Sequence, residues 1–160
     1  MKKKAIIFLF FLLTLSMSRL RAQQKAAVVN WITFEQLSDS LAIHPKKVLL
    51  FFHTDWCAYC RKMQREVFTD PKIVTQLNTH YYAVRFDAES TDTVSFDGAL
   101  YTNSAPQKKT GSYHKLAELL AARQGTFSFP TTIILNAHFQ VQTRSFEYLD
   151  RKKLARVIEF

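Results

Sequence analysis

The spacing of apolar residues changes along the chain, from helical periods of three and four residues to short unbroken runs. Thr33 followed by Gln36 is a capping-box signature, and the apolar positions after it predict a helix that ends near Ile43. Residues 47–52 are apolar except for the first, which predicts a short strand buried on both faces. The helical pattern recurs in four places: a segment that ends near residue 68, one that begins at residue 70, one from residue 113 to Gly125, and one across residues 154–158. The strand pattern recurs over residues 81–87, 93–96, 99–102, 131–135 and 139–146.

Predicted strands alternate with predicted helices for most of the chain, and the last two strands are consecutive. This order predicts an α/β sandwich built on a mixed sheet. Any additional first strand would have to come from about residues 26–29, where the signal is weak. Asp97-Gly98 lies between two short strand patterns and is a strong hairpin signal, so we expect a hairpin within an irregular stretch over about residues 88–112.

The chain has two cysteines, Cys57 and Cys60, which follow the predicted buried strand and open the next predicted helix. A helix N-terminus offers unpaired N–H groups and the positive end of the helix dipole, so a thiol there ionises more easily. Cys60, Met63 and Val67 share one helical face, so Cys60 should point into the core, whereas Cys57 should face solvent. We therefore predict a redox site in which Cys57 attacks a disulfide and Cys60 resolves the mixed disulfide.

Two other interpretations of the cysteine pair are weaker. A structural zinc site usually needs four ligands, and His53, four residues before Cys57, could supply only a third. A purely structural disulfide that closes so short a loop would gain little chain entropy. The cationic side chains of Arg61, Lys62 and Arg65, in contrast, favour the thiolate that redox chemistry needs.

The N-terminal segment has the pattern of a secretory signal peptide, with a lysine-rich start, an apolar run over residues 5–13 and a small residue, Ala22, for cleavage. We expect a signal peptide over 1–22 and one domain over 23–160, soluble in the periplasm after cleavage. An uncleaved membrane anchor is the alternative. Five of the 22 basic residues and none of the 13 acidic residues lie in the signal, so the remaining chain has a net charge of +4. So modest a charge argues against nucleic acid as a partner.

Several motifs resemble the thioredoxin superfamily. These are the Trp-Cys-x-x-Cys at residues 56–60, the later Phe-Pro-Thr at 129–131 and the order of the predicted elements. Residues 52–57 and 67–71 resemble the periplasmic C-terminal domain of DsbD-type thiol:disulfide interchange proteins, and residues 31–35 resemble small exported bacterial thioredoxin-like proteins. The resemblance implies a thioredoxin fold, a three-layer α/β/α sandwich with a central mixed sheet, which here carries the hairpin-containing insertion.

The same resemblance implies roles for residues around the cysteine pair. Pro130 would follow a cis peptide bond and face the cysteines, and the backbone of Phe129 would pair with the substrate peptide. Together with Trp56 and Tyr59, these two residues would form the apolar surface that receives the substrate. From the residues alone, Pro130 could also be an edge proline that starts a strand.

One position departs from the family pattern. Thioredoxins and the DsbD domain usually carry a buried aspartate six residues before the first cysteine, where this chain has Phe51. The change removes the expected proton acceptor for Cys60, and His53 or Glu66 could take its place.

These observations predict an exported, monomeric thiol–disulfide oxidoreductase that needs no cofactor and acts on cysteine-containing exported proteins. The resemblance makes a membrane electron donor of the DsbD type a candidate partner. The alternative is a binding or chaperone-like module on the same fold, which would hold clients with little turnover. The insertion over 88–112 could shape the choice of partner or be a decorative hairpin.

Overall fold

The computed structural model describes residues 28–158. The helices in this range are α1 (Phe34–Ile43), α2 (Ala58–Glu66), α3 (Pro71–His80), α4 (Lys115–Ala121) and α5 (Arg151–Ile158). The strands are β1 (Trp31–Ile32), β2 (Lys47–His53), β3 (Tyr81–Asp87), β4 (Val94–Phe96), β5 (Ala99–Tyr101), β6 (Thr131–Leu135) and β7 (Val141–Ser145).

A mixed sheet of five strands, in the order β1-β3-β2-β6-β7, forms the centre of the fold. Strand β3 is parallel to both β1 and β2, whereas β6 is antiparallel to β2 and to β7. The parallel register of β2 and β3 runs from Lys47 opposite Tyr81 to His53 opposite Asp87, so both strands end at the same edge of the sheet. Strands β4 and β5 form a separate antiparallel hairpin. The predicted α/β fold with a mixed central sheet and a hairpin insertion is confirmed.

The sheet separates two hydrophobic clusters, because alternate residues of β2 point to opposite faces. Leu49 and Phe51 belong to the cluster on one face, with residues of α2, α3 and α5, and this cluster includes both cysteines. Val48, Leu50 and Phe52 belong to the other cluster, with residues of α1 and α4. The cysteine pair therefore belongs to the same hydrophobic cluster as one face of the central strand.

Two helix starts follow directly from the sequence. At α1, the Gln36 backbone N–H donates to Thr33 Oγ1 at 3.2 Å, and the Thr33 N–H donates to Gln36 Oε1 at 2.9 Å, which completes the predicted capping box. At α3, Asp70 caps the helix by accepting hydrogen bonds from two backbone N–H groups of the first turn, and Pro71 is the first helical residue.

The position of the first strand and the end of helix α4 differ from the prediction. The first strand lies at Trp31–Ile32, beyond the expected residues 26–29, because these two residues pair with Ala83 and Val84 of β3. Residues 26–27 of the expected segment lie outside the described range. Helix α4 ends before Gly125, which instead lies at φ +76° in a tight turn closed by two hydrogen bonds between Arg123 and Thr126.

The predicted signal peptide falls on residues outside the described range. Among residues 28–158, no helix has the length and apolar character needed to cross a bilayer.

Candidate active site

Strand β2 and helix α2 together place the cysteine pair at the edge of the sheet. Beyond His53 the chain turns, and the Cys57 N–H donates to the Thr54 carbonyl at 3.3 Å. Cys57 is the N-cap residue of α2, with its carbonyl accepting from the Arg61 N–H at 3.1 Å. The predicted position at the start of a helix is thus the one observed.

The two cysteines are joined by a disulfide bond, with their Cα atoms 5.3 Å apart. Cys60 is fully buried, as predicted, and Cys57 is only 4% exposed. The prediction that Cys57 faces solvent is therefore wrong, because nearly all of its surface is buried. The reason is tertiary packing, since Cys57 belongs to the same hydrophobic cluster as Cys60. Of the two cysteines, Cys57 is the one with some surface accessible to solvent.

A backbone donor points at the sulfur of Cys57. The Cys60 N–H lies 3.0 Å from Cys57 Sγ, as expected for a side chain that caps a helix. A hydrogen bond of this kind favours the charged form of an acceptor. Once the disulfide is reduced, this N–H and the helix dipole would both stabilise a thiolate on Cys57.

Phe51 belongs to the hydrophobic cluster that holds the cysteine pair. Its side chain is fully buried. The ring lies 4.9 Å from that of Phe68 and 6.3 Å from that of Trp31, centroid to centroid. The position where the family pattern has an aspartate is therefore occupied by a buried phenyl ring, packed among aromatic side chains.

The two residues considered as substitutes for that aspartate lie in different surroundings. Glu66 is the last residue of α2 and is exposed. His53 is half-buried and its ring stacks on Phe51, with centroids 5.8 Å apart. Burial lowers the pKa of His53 from its ordinary 6.5, although the negative charge of Asp87 partly offsets this effect. Of the two, only His53 lies beside Phe51.

The predicted substrate-binding residues form a partly exposed aromatic rim beside Cys57. Trp56 is 50% exposed, and its ring meets that of half-buried Phe129 edge to face, with centroids 6.2 Å apart. The Phe129–Pro130 peptide bond is cis, as the resemblance implied, and Pro130 is buried. Phe129 packs against the cluster that holds the cysteines.

Tyr59, the other predicted aromatic residue of the rim, pairs with a different partner. It is 61% exposed, and its ring lies 5.8 Å from the ring of Tyr148, which sequence reasoning did not identify. The Lys62 ammonium lies 5.1 Å from the centroid of Tyr148, a cation–π distance. The structure therefore groups Trp56 with Phe129, and Tyr59 with Tyr148.

A buried carboxylate, also missed in the sequence, holds the indole of Trp56. Glu89 is 2% exposed, and its Oε1 accepts from Trp56 Nε1 at 3.0 Å and from the Gly111 N–H at 2.7 Å. Glu89 follows the end of β3, the strand parallel to β2. The tendency of functional residues to lie beyond the carboxyl ends of parallel strands is the one signal that could have found it.

Lys108 makes a second link between the insertion and the turn before Cys57. Its ammonium forms ion pairs with Asp55, in that turn, and with Asp87, at the end of β3. The two carboxylates raise the pKa of Lys108, and the Lys108 hydrogen bond lowers the pKa of Asp55. The loop of the insertion is thus attached to the active-site turn, whereas the hairpin packs on α1, where Phe96 lies 5.2 Å from Phe34.

Within residues 28–158, no three His, Cys, Asp or Glu side chains lie close enough together to hold a metal ion.

Comparisons with known proteins place these features in a family context. A family model described as a thioredoxin-like domain matches residues 34–160. The thiol:disulfide interchange protein DsbD of Photorhabdus laumondii is 31% identical over 94 residues, which are 59% of this chain and 13% of that protein. The chain therefore corresponds to a small part of that relative.

Similar solved structures include a DsbH oxidoreductase, with a TM-score of 0.55 and 21% identity over 85% of this chain and 89% of that one. A thioredoxin from Thermus thermophilus has a TM-score of 0.56 and 16% identity, with 82% and 85% covered. A putative disulphide-isomerase from Bacteroides thetaiotaomicron has a TM-score of 0.54 and 18% identity, with 84% and 97% covered. At these identities the likeness establishes the fold.

Proposed function

The chain belongs to the thioredoxin-like domain family, and from this premise we propose that it is an exported thiol–disulfide oxidoreductase that reduces or exchanges disulfides in other proteins. The observation that carries the proposal is the disulfide between Cys57 and Cys60 at the start of α2, with the exposed fraction of the pair on Cys57. The aromatic rim beside it supplies an apolar surface for a protein substrate.

The reaction needs only the two sulfurs of the protein and the disulfide of the substrate. In the reduced protein, the Cys57 thiolate attacks one substrate sulfur, a Cys57–substrate bond forms, and the other substrate sulfur leaves as a thiolate. Cys60 then loses its proton and attacks Cys57 Sγ, which releases the first substrate sulfur and forms the Cys57–Cys60 disulfide. Two electrons pass from the protein to the substrate, and the reverse sequence oxidises a substrate dithiol.

The rim residues would receive the substrate. We assign Trp56, Tyr59, Phe129 and Pro130 to this surface, with the backbone of Phe129 pairing with the substrate chain. Trp56 and Phe129 support this assignment most directly, because their rings are in contact and Trp56 is half exposed.

The N-terminal pattern and the DsbD similarity support a periplasmic setting for the reaction. The protein would act in the periplasm as a soluble monomer, on cysteine-containing exported proteins, with a membrane protein of the DsbD type as electron donor. N-terminal sequencing of the periplasmic fraction would test this, with a start near Gln23 expected. Recovery in membranes alone, with Met1 intact, would favour the anchored form.

An insulin-reduction assay with dithiothreitol tests the activity. The wild type should accelerate insulin precipitation, and Cys57→Ser should reduce the rate to background. A binding or chaperone-like module would leave the wild-type rate at background while still retaining unfolded clients. A Cys60→Ser variant, which cannot resolve the mixed disulfide, should accumulate covalent complexes from which the natural partners can be identified.

A further inference from the structure

Glu89 is a buried carboxylate at the start of the insertion, and it contacts the active-site turn through Trp56. One oxygen, Oε1, accepts both hydrogen bonds, from the Trp56 indole N–H at 3.0 Å and from the Gly111 backbone N–H at 2.7 Å. A carboxylate that is 2% exposed is costly unless it is hydrogen-bonded, so both donors are needed to keep it in this position. Removal of Glu89 would leave both donors without their acceptor.

The insertion holds Gly111 in a fixed place relative to β3. The Asn103 side-chain amide donates to the carbonyl of Ser90 at 3.1 Å and to that of Ser112 at 2.9 Å, which ties the two ends of the insertion together. The His114 N–H donates to the Ala88 carbonyl at 2.8 Å. Glu89 therefore joins the Trp56 indole to a loop whose two ends are held together by hydrogen bonds.

The orientation of the Trp56 ring depends on this hydrogen bond. The ring is half exposed and touches Phe129 through one edge, so the contact with Glu89 is what fixes its polar end. Tyr113, at the end of the insertion, lies 5.6 Å from Phe129, ring centroid to centroid, and continues the same aromatic surface. When a substrate binds, the side chain of the residue next to its cysteine would contact this aromatic surface.

We propose that Glu89 is a positioning residue of the disulfide site, through which the insertion holds Trp56 to bind an apolar side chain next to the cysteine of a substrate. The proposal rests on the proposed oxidoreductase function and names the feature of substrates that the site selects. It gives the insertion a role in the choice of substrate.

The test uses two cystine peptides that differ at one position beside the cysteine, Phe in one and Ser in the other, with oxidised glutathione as a small disulfide and dithiothreitol to re-reduce the protein after each turnover. The wild type should prefer the Phe peptide. Glu89→Ala should raise KM for the Phe peptide roughly three- to tenfold, the size expected for one hydrogen bond, with kcat for that peptide and the rate with glutathione unchanged.

Two variants separate a positioning role from a general loss of structure. Glu89→Gln keeps an oxygen where Oε1 accepts both hydrogen bonds, so it should retain the wild-type KM. Glu35→Ala is the matched control, because Glu35 Oε1 also accepts from a backbone N–H of the insertion, that of Ser95 at 3.0 Å, at a point where the hairpin packs on α1. This control should keep the preference for the Phe peptide.

A fluorescence measurement tests the contact without turnover. In a Trp31→Phe background, Trp56 is the remaining tryptophan, and Glu89→Ala should increase its quenching by acrylamide and lower its anisotropy. Trp56→Phe removes the indole N–H, so adding Glu89→Ala to it should cause no further rise in KM.

Three results would overturn the inference. Glu89→Ala could keep the wild-type preference for the Phe peptide, or it could reduce both peptides and glutathione more slowly by the same factor. Glu89→Gln could show the same rise in KM as Glu89→Ala. A wild type that reduces none of these disulfides would instead refute the proposed function. In that case unchanged Trp56 fluorescence in Glu89→Ala would refute the positioning role as well, and increased quenching would support it.

Discussion

At the scale of single residues, Cys57 and Cys60 differ in exposure, and this difference supports a prediction of which sulfur reacts first. Cys57 is 4% exposed against 0% for Cys60, and the Cys60 N–H lies 3.0 Å from Cys57 Sγ. We therefore expect Cys57 to be alkylated first after reduction at neutral pH, since the thiolate is the reactive form. Peptide mapping after a short iodoacetamide pulse measures this order. Faster modification of Cys60 would reverse both assigned roles.

A second residue-scale prediction concerns His53 and pH. Burial lowers the pKa of His53 below 6.5, and Arg85 and Lys108 act in the same direction, while Asp87 and Asp55 act against them. Below pH 6.5 the unfolded chain therefore binds a proton at this site that the folded protein does not bind, and stability falls as the pH drops towards the folded pKa.

The measurement is the free energy of unfolding in urea between pH 7.5 and about 5.5. The wild type should lose stability over this range, and His53→Gln should show a smaller slope. His80→Gln, a change at an exposed histidine at the end of α3, should keep the wild-type slope. Equal slopes in all three proteins would show that the His53 pKa does not differ between the folded and unfolded states.

At the scale of helices and strands, the N-cap of α3 offers a direct test of local stabilisation. Asp70 Oδ1 accepts from the Lys72 N–H at 3.0 Å and from the Ile73 N–H at 3.2 Å. Asp70→Ala should lower the free energy of unfolding by about 1 kcal/mol, the usual loss for such a cap. Asp39→Ala, at an exposed position inside α1, is the control and should change it little. If Asp70→Ala lowers the free energy of unfolding no more than Asp39→Ala does, water forms the hydrogen bonds to these N–H groups as well as Asp70 does.

The elements predicted correctly are those whose signals lie within a few residues of one another. The capping box of Thr33 and Gln36 spans three positions, and the hairpin turn at Asp97-Gly98 needs only two adjacent residues with positive φ, here +50° and +73°. Strand β1 was misplaced because a two-residue strand has too few positions to show a period.

Parts of the candidate site depend on contacts that no local pattern encodes. Trp56 and Glu89 are 33 residues apart, and Asp55 and Lys108 are 53 apart. They meet because the parallel register of β2 and β3 brings the ends of both strands to one edge of the sheet. The burial of Cys57 was missed for a related reason, since its exposure is set by packing between elements and not by its helical position.

At the scale of the whole molecule, the balance of charges around the disulfide sets the direction of electron flow. Ala58 and Tyr59, between the cysteines, bring no charge that would stabilise a thiolate, and Tyr59 is 61% exposed. Arg61, Lys62 and Arg65 act in the opposite direction, as do the positive end of the α2 dipole and the Cys60 N–H at Cys57 Sγ. We predict a reducing protein, because a less stabilised thiolate means a less favoured reduced form and a lower potential.

Equilibration with glutathione buffers measures this potential, and each ~30 mV corresponds to about 1.4 kcal/mol for a two-electron couple. A potential as high as that of dedicated periplasmic oxidants would contradict the predicted direction and leave the proposed exchange chemistry intact. Lys62→Gln, which removes one nearby cation, should lower the potential further.

The phenyl ring of Phe51, in the same hydrophobic cluster as the disulfide, affects where the protons of the reaction come from. Phe51 is fully buried, and a phenyl ring can neither take nor give the proton that Cys60 must lose before it attacks. If a dissolved base removes that proton, the rate of mixed-disulfide resolution should rise with buffer concentration at constant pH and ionic strength. A rate that does not depend on buffer would point to a base within the protein. Buffer catalysis would make the speed of this enzyme a property of the surrounding medium as much as of its own residues.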